Sequence, residues 1–418
     1  MRNTLKPNDV FVPEKFPIEE TNAYAYRGTP QRDTSTALER GYVPLVFGGY
    51  GVGKSSMVAR IAQDFQPSDA VVYVETVYAK SLDSIFQQVL EKLGYEVTVQ
   101  NTMSSKEGTT ATIGAEVEGG IFQALKAKFK STLSGNHEDT RTEVSELVVT
   151  TPTESKIIDI CEQNGLLLIV DELHRASEPL THDLSAFLKA YANKNCKNFR
   201  IALLGTENEA SRLVISDPGT DRILEEVPLP PLSTTEAQEV IETGFPRLGI
   251  EISDDVRDEL VQYSVGSPFV LQFLCLEIAE ASYREESRAV TSEDVKESLK
   301  TYGRRKAQRL IREYRAAIET TGEKRYRKQI LLAMANGEDE YVTMEYLVEK
   351  ISSALNIDVP ATALSGPLRA LKNQKYGSIL RDVANPAGGG RLANYSGFSD
   401  PAMKAIIRMV ETAPIPMV

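Results

Sequence analysis

Residues 43–60 read Val-Pro-Leu-Val-Phe-Gly-Gly-Tyr-Gly-Val-Gly-Lys-Ser-Ser-Met-Val-Ala-Arg, and no other stretch restricts the fold so tightly. Val43–Phe47 is an apolar run of buried-strand length. Residues 48–55 match G-x-x-x-x-G-K-[ST]. From Ser56 onward, Met57, Val58, Ile61 and Ala62 keep helical spacing. Strand, glycine-rich loop and helix therefore follow in the order that a phosphate loop requires. Each residue type has a physical reason. Gly48, Gly51 and Gly53 let the backbone bend, so that the loop from Gly48 through Gly49, Tyr50 and Val52 turns its N–H groups inward as an anion nest. The helix adds its positive end at Ser55 and Ser56. Lys54 would reach the β- and γ-phosphates of a nucleotide, and the Ser55 hydroxyl would complete a Mg²⁺ shell. With ordinary residue usage the bare pattern arises in roughly one to two chains in a hundred of this length. The flanking strand and helix make a mere glycine-rich turn the weaker reading.

The 418 residues are enough for two or three domains with a full hydrophobic core. With 25% charged and 41% hydrophobic residues, the composition is that of an ordinary soluble globular chain. No apolar run approaches a membrane span, and the N-terminus lacks the apolar core of a signal peptide. Cys161, Cys196 and Cys275 have no metal spacing and are expected to be reduced, in a cytoplasmic protein. A net charge of −12 argues against a protein that coats nucleic acid over its whole surface, and leaves room for a local basic patch.

Residues 1–42 are polar and proline-bearing and lead through a short helix into the first strand. Residues 70–76 read as a second strand. Leu82, Ile85, Phe86, Val89, Leu90 and Leu93 repeat at three and four, as in a helix. Residues 98–150 are rich in Thr, Gly, Glu and Lys, with apolar residues alternating on either side of Gly119-Gly120. They are expected to project from the core as a β-rich insertion, although residues 121–133 also fit a helix. A helix start at Thr151-Pro152-Thr153-Glu154 is followed by apolar strands at 166–170 and 199–204. This alternation implies a parallel sheet with its ligand at the carboxyl ends of the strands. From Ser233 the chain turns helical, and residues 303–328 are dense in Arg and Lys. Three helices, the third at 360–375, and a hairpin of 379–383 with 391–398 then make a winged-helix arrangement. A final helix starts at Asp400-Pro401. The expected fold class is α/β: a parallel-sheet P-loop core with a helical lid and a C-terminal winged-helix domain. Boundaries are expected at 1–42, 43–230, 231–318 and 319–418.

The chemistry gathers at the strand ends. Asp171-Glu172 closes the 166–170 strand, where one acid orients Mg²⁺ and the next can polarise an attacking water. Thr206, or Asn208, ends the next strand and could position that water or simply turn the chain. Arg222, ahead of Arg212 as the candidate, could reach a neighbouring subunit's ligand or form a surface salt bridge. His174 and Arg175 read as solvated helix residues, and His137 and His182 form no triad. On the third C-terminal helix Arg369 and Lys372 lie opposite Leu364, Leu368 and Leu371, with Lys375 and Arg391 nearby, which suits phosphate contacts by a recognition helix and wing.

Together these residues resemble the AAA+ ATPases of the origin-recognition initiator group, related bacterial ATPases of transposition and phage defence, and STAND signalling ATPases. The similarity runs over roughly residues 20–410 and rests on residues 48–55 and 167–172, Thr206, Arg222, the lid and Phe398 to Pro401. It implies ATP and Mg²⁺ as ligands, hydrolysis, and a homo-oligomer with ATP at subunit interfaces. It also implies DNA as a partner of the winged helix, a separate effector protein, and Tyr26-Arg27-Gly28 near the base. The turn Gly266-Ser267-Pro268-Phe269 departs from initiators, which offer an arginine there. It is closer to the Gly-x-Pro lid of STAND proteins, in which proline packs by the nucleotide. The alternative reading is therefore a STAND-like signalling or defence switch whose winged helix binds protein.

Overall fold

The computed structural model describes residues 5–65, 71–79, 81–94, 154–206, 213, 218–286, 289–319, 326–337, 339, 341–383, 395–400 and 402–412. The expected insertion at 98–150 lies outside the described residues. So do the helix start at 151–153, Asn208, Arg212, His137, Pro401 and Arg391.

Five strands, β1 (Val43–Phe47), β2 (Val71–Glu75), β3 (Leu167–Asp171), β4 (Arg200–Gly205) and β5 (Leu224–Pro228), form a parallel sheet in the order β2-β3-β4-β1-β5. Helices cover both faces, which explains why β3 and β4 are buried along their whole length and read as apolar runs between Leu167 and Val170 and between Ile201 and Leu204. Successive side chains still divide between the faces. Leu45, Leu168, Val170, Ile201 and Leu203 join one core, whereas Val46, Leu167, Ile169, Ala202 and Leu204 join the other. Around the sheet lie α1 (Gly28–Arg40), α2 (Lys54–Phe65), α3 (Leu82–Lys92), α4 (Glu154–Gln163) and α5 (Glu178–Lys194). The sequence does not announce β5, because Glu225 and Glu226 interrupt its apolar pattern and Pro228 ends it. It forms because it is an edge strand pairing with β1 alone, where a missing N–H is tolerated.

The lid consists of α6 (Thr234–Arg247), α7 (Asp254–Ser264), α8 (Pro268–Arg284) and α9 (Ser292–Arg305). Ser233 with Glu236, and Thr291 with Asp294, close the capping boxes that start α6 and α9. Then come α10 (Gln308–Ile318), α11 (Tyr326–Asn336), α12 (Met344–Leu355), α13 (Ala361–Leu371) and α14 (Ala402–Thr412). Strand β7 (Leu380–Val383) pairs antiparallel with β8 (Tyr395–Phe398). A two-residue strand, β6 (Tyr341–Val342), adds to the other edge of β8. Leu364, Leu368 and Leu371 face inward as their spacing requires, but α13 stops at Leu371 rather than 375. Asn373 instead caps a separate 3₁₀ turn, Gln374–Tyr376. The C-terminal helices and the lid share one hydrophobic core, running from Val256 and Leu274 through Tyr314 to Ile406 and Met409. Arg408 adds a polar tie: its Nε donates to the Ala335 carbonyl at 2.6 Å and its Nη1 to that of Gln262 on α7 at 3.1 Å.

Among the described residues no helix is long and apolar enough to cross a membrane.

Candidate functional site

The phosphate-loop residues sit where β1 runs into α2. Leu229 N–H donates to the Phe47 carbonyl at 2.7 Å, bringing the end of β5 against the start of the loop. A Cβ on Gly48 would stand 2.3 Å from the Leu229 carbonyl oxygen, so only glycine fits there. Gly51 and Gly53 have φ of +75° and +93°, the left-handed region that glycine occupies without cost. Val52 is buried under the loop. Lys54 lies along it, donating to the carbonyls of Gly48 at 3.0 Å and Gly49 at 2.9 Å. Tyr50 projects outward and is half exposed.

β3 delivers the acids. Ser55 Oγ donates to Asp171 Oδ2 at 2.6 Å, joining the end of the loop to the end of β3. The Tyr73 hydroxyl, from the neighbouring β2, donates to the same carboxylate oxygen. Burial, and then this bond to Asp171, push the Tyr73 phenol far above its usual range, so Tyr73 remains a donor. Glu172 N–H donates to Asp171 Oδ1 at 2.6 Å. β4 lies between β3 and β1, and Gly205 pairs with Phe47, so Thr206 emerges between the acids and the loop.

A cleft runs from these groups to the lid. Lys54, Ser55, Ser56, Asp171 and Glu172 line one end. Tyr24, Ala25, Leu232, Val240, Leu271 and Gln272 line the other, and Pro268 and Phe269 lie along the lid side. Pro268 packs against Gly53: a Cβ there would stand 3.2 Å from Pro268 Cγ. One end is therefore polar and charged, and the other mainly apolar with Tyr24 and Gln272 as polar groups. The N-terminal segment forms the remaining wall, with Val12, Pro13, Lys15 and Pro17 in the lining. It is fastened to both sides. Gln272 Nε2 donates to the Ala23 carbonyl at 2.6 Å, and Arg60 of α2 donates to the Ile18 carbonyl at 2.9 Å. Glu14 pairs with Lys306, whose ammonium holds the Glu14 carboxyl below its ordinary range.

The structure gives the surroundings of three further residues singled out in the sequence. Arg27 is 3% exposed. It donates to the carbonyls of Val52 at 2.7 Å and Pro230 at 2.5 Å, and pairs with Glu236 at 3.2 Å. It thus clamps the phosphate loop, the β5 exit and the first lid helix together. His174 is not a solvated helix residue: it sits in a 3₁₀ turn, its side chain 15% exposed, with Nε2 at 2.7 Å from the Tyr50 hydroxyl. Arg222 is exposed at the amino end of β5. Because β5 runs in register with β1, Leu224 opposite Val43 and Pro228 opposite Phe47, Arg222 is about 16 Å of strand away from its own phosphate loop.

The C-terminal cations are less available than their spacing suggests. Lys372 is the C-cap of α13, beyond its last full turn, and pairs with Asp382 of β7. In the basic stretch, Arg304 pairs with Glu297, Arg305 with Glu277, Lys306 with Glu14, Arg309 with Glu313 and Asp400, and Lys328 with Glu411. These cations bind the linker to lid, N-terminal segment and last helix. Arg369, Lys375 and Arg381 remain exposed.

Tyr73, His174 and the Arg27 clamp escape sequence reasoning because each acts through a contact far along the chain. Tyr50, as the one bulky residue among the loop glycines, was the available hint.

Comparison with known proteins agrees with this geometry. Residues 38–214 match the family model of the AAA domain. The fold resembles that of the Walker-type ATPase PABY2304 of Pyrococcus abyssi, at 17% identity over 94% of this chain and 99% of that one, with a TM-score of 0.50. Weaker structural similarity extends to Cdc6p from Pyrobaculum aerophilum, at 11% identity over 97% of both chains, TM-score 0.45. The ORC2 protein of Aeropyrum pernix is similar at 15% identity over 95% and 97% of the two chains, TM-score 0.46. No curated protein sequence matches. Sheet order, loop and family match together show an AAA-type P-loop core in an α/β protein, followed by a largely helical C-terminal region.

Proposed function

We propose that this chain binds ATP in the cleft between phosphate loop and lid, hydrolyses it to ADP and phosphate, and uses the nucleotide state to control assembly. The observation that carries this reading is the convergence of Lys54, Ser55 and Asp171 at one end of the cleft, with Glu172 beside them and Pro268 along the lid side. The loop N–H groups and Lys54 would hold the phosphates, with Lys54 exchanging its carbonyl partners for phosphate oxygens. The hard oxygens of Ser55 and Asp171, 2.6 Å apart, suit Mg²⁺, and these two residues would hold it. The ion would supply charge neutralisation at the phosphates. Glu172 accepts a proton as the water oxygen bonds to the γ-phosphorus and the bond to the β–γ bridging oxygen breaks. Thr206 orients the water or the γ-phosphate from the middle strand. Arg222, too far from its own loop, serves the ATP of an adjacent protomer in a homo-oligomer.

In this reading the C-terminal helices and hairpin act as a winged helix on DNA, through Arg369, Lys375 and Arg381, with Arg391 as a further candidate from the sequence. Three phosphate contacts at about 0.9 each predict a slope near −2.7 in log K against log salt. Such weak single-site binding gains avidity when ATP assembles several protomers on one duplex. Anisotropy on a long duplex, with and without ATP across a salt series, tests this. Binding should need ATP, and Arg369→Ala with Lys375→Ala should abolish it while ATP affinity stays unchanged. The internal pairing of Lys372 and of the basic stretch favours a second reading, in which this region docks a separate effector protein as in a STAND-like switch. Absence of ATP-dependent binding to duplex, single strand or RNA at low salt would establish that alternative over the DNA one.

A further inference from the structure

The structure shows how the Glu172 carboxylate is held. Its backbone is fixed twice: the N–H donates to Asp171 Oδ1 at 2.6 Å, and the carbonyl accepts from Thr76 Oγ1 at 2.6 Å. Its φ is +58°, a left-handed conformation that a residue with a Cβ seldom adopts, so the surroundings and not local preference set its direction. The side chain is held at one oxygen. Oε2 lies 3.3 Å from Arg175 Nε and 3.4 Å from His174 Nε2. The same Nε2 is 2.7 Å from the Tyr50 hydroxyl, and the two rings meet edge to face with centroids 5.2 Å apart. Nδ1 of His174 is buried without a hydrogen-bond partner among the described residues. A neutral ring carrying its proton on Nδ1 would leave that N–H unsatisfied and turn a lone pair toward the carboxylate. The contacts therefore assign the proton to Nε2, shared between the Tyr50 oxygen and Glu172.

We propose that His174 and Tyr50 are positioning residues for hydrolysis: the phosphate loop, through Tyr50 and then His174, sets the direction of the Glu172 carboxylate. This rests on the ATPase reading above. With Oε2 engaged by the imidazole and Arg175, Oε1 is left to take the proton of the attacking water. Without the ring, Arg175 alone among the described residues holds the carboxylate, and that side chain is 55% exposed and draws it toward solvent. Because Tyr50 belongs to the loop that receives the phosphates, the base is oriented by the element that binds the substrate.

The test uses the full chain and six proteins: wild type, Glu172→Gln, Tyr50→Phe, His174→Ala, His174→Gln and the Tyr50→Phe/His174→Ala double variant. ATP turnover, ATP affinity and Tm are measured for each. His174→Ala should lower kcat roughly tenfold and Tyr50→Phe by roughly three- to tenfold, with the Kd for ATP within about twofold of wild type. His174→Gln, whose amide N–H reaches the Nε2 position, should recover most of the rate. The double variant should be no slower than His174→Ala, because both changes break one chain of contacts. A readout independent of turnover is the ¹⁵N shift of His174 Nε2 without nucleotide, which should move in Tyr50→Phe. Multiplicative losses, a change in Kd or Tm in place of kcat, unchanged rates or an unmoved nitrogen shift would overturn the inference alone. Wild-type protein that binds ATP and never hydrolyses it would overturn the hydrolytic reading and this inference with it.

Discussion

At Gly48 the physics is steric before it is chemical. A Cβ there meets a backbone carbonyl, that of Leu229, which has no rotamer to change. Gly48→Ala should cost about 1–3 kcal/mol of stability, as overpacking does, and should weaken ATP binding by displacing the loop. Thermal denaturation with and without ATP measures both effects, and an unchanged Tm would show that β5 yields. Most of the residues of the proposed phosphate site were legible in the sequence, because one short motif must carry glycines, lysine and hydroxyl in fixed order. The residues that support them were not. Tyr73 reaches Asp171 from 98 positions away, and Tyr50 reaches His174 from 124. Nothing local in Tyr73 or His174 distinguishes either from an ordinary strand tyrosine or a surface histidine.

Between elements, the joint of α4 with β4 is a sharp case. Glu162 near the end of α4 accepts backbone N–H groups of Lys197 at 3.0 Å, Asn198 at 2.9 Å and Phe199 at 2.8 Å. Burial alone would raise its pKa, but these donors outweigh it and hold the carboxyl below its ordinary 4.5. A depressed carboxyl stabilises the fold fully above 4.5 and loses that contribution as pH falls through its folded value. Glu162→Gln should therefore cost about 1–2 kcal/mol at neutral pH, allowing for solvent screening. The two stability curves should converge below pH 4.5, as chemical denaturation across pH would show; a gap independent of pH would contradict the assignment. The same scale explains which elements could be read. β1, β3 and β4 are buried on both faces and appear as apolar runs. β5 is an edge strand with two glutamates, and β6 has two residues, too few for any period. The basic run at 303–328 carries no mark of its partners, because Glu14, Glu277, Asp400 and Glu411 are distant in the chain.

Across the whole molecule, the cleft joins parts that are remote in sequence: an N-terminal wall, the loop, the sheet edge and the lid. Glu14 ties that wall to Lys306, at the junction leading to the C-terminal helices, so the cleft wall and that junction share a contact. Arg222 stands exposed at the amino end of β5, on the edge strand, and the proposed reading gives it a role between protomers. Mixing Arg222→Ala protomers with Lys54→Ala protomers should restore some ATP turnover, since one junction then joins an intact loop to an intact arginine. Confirmed co-assembly without rescue would remove Arg222 from the site. The claim on which the rest depends is that the loop between β1 and α2 binds ATP and that Glu172 takes part in its hydrolysis. Phosphate release from ATP by the purified chain, measured with ATP affinity for wild type, Lys54→Ala and Glu172→Gln, tests it most directly. Wild type should bind and hydrolyse ATP, Glu172→Gln should bind it but release little phosphate, and Lys54→Ala should do neither. ATP affinity unchanged by Lys54→Ala, or full turnover in Glu172→Gln, would contradict the claim.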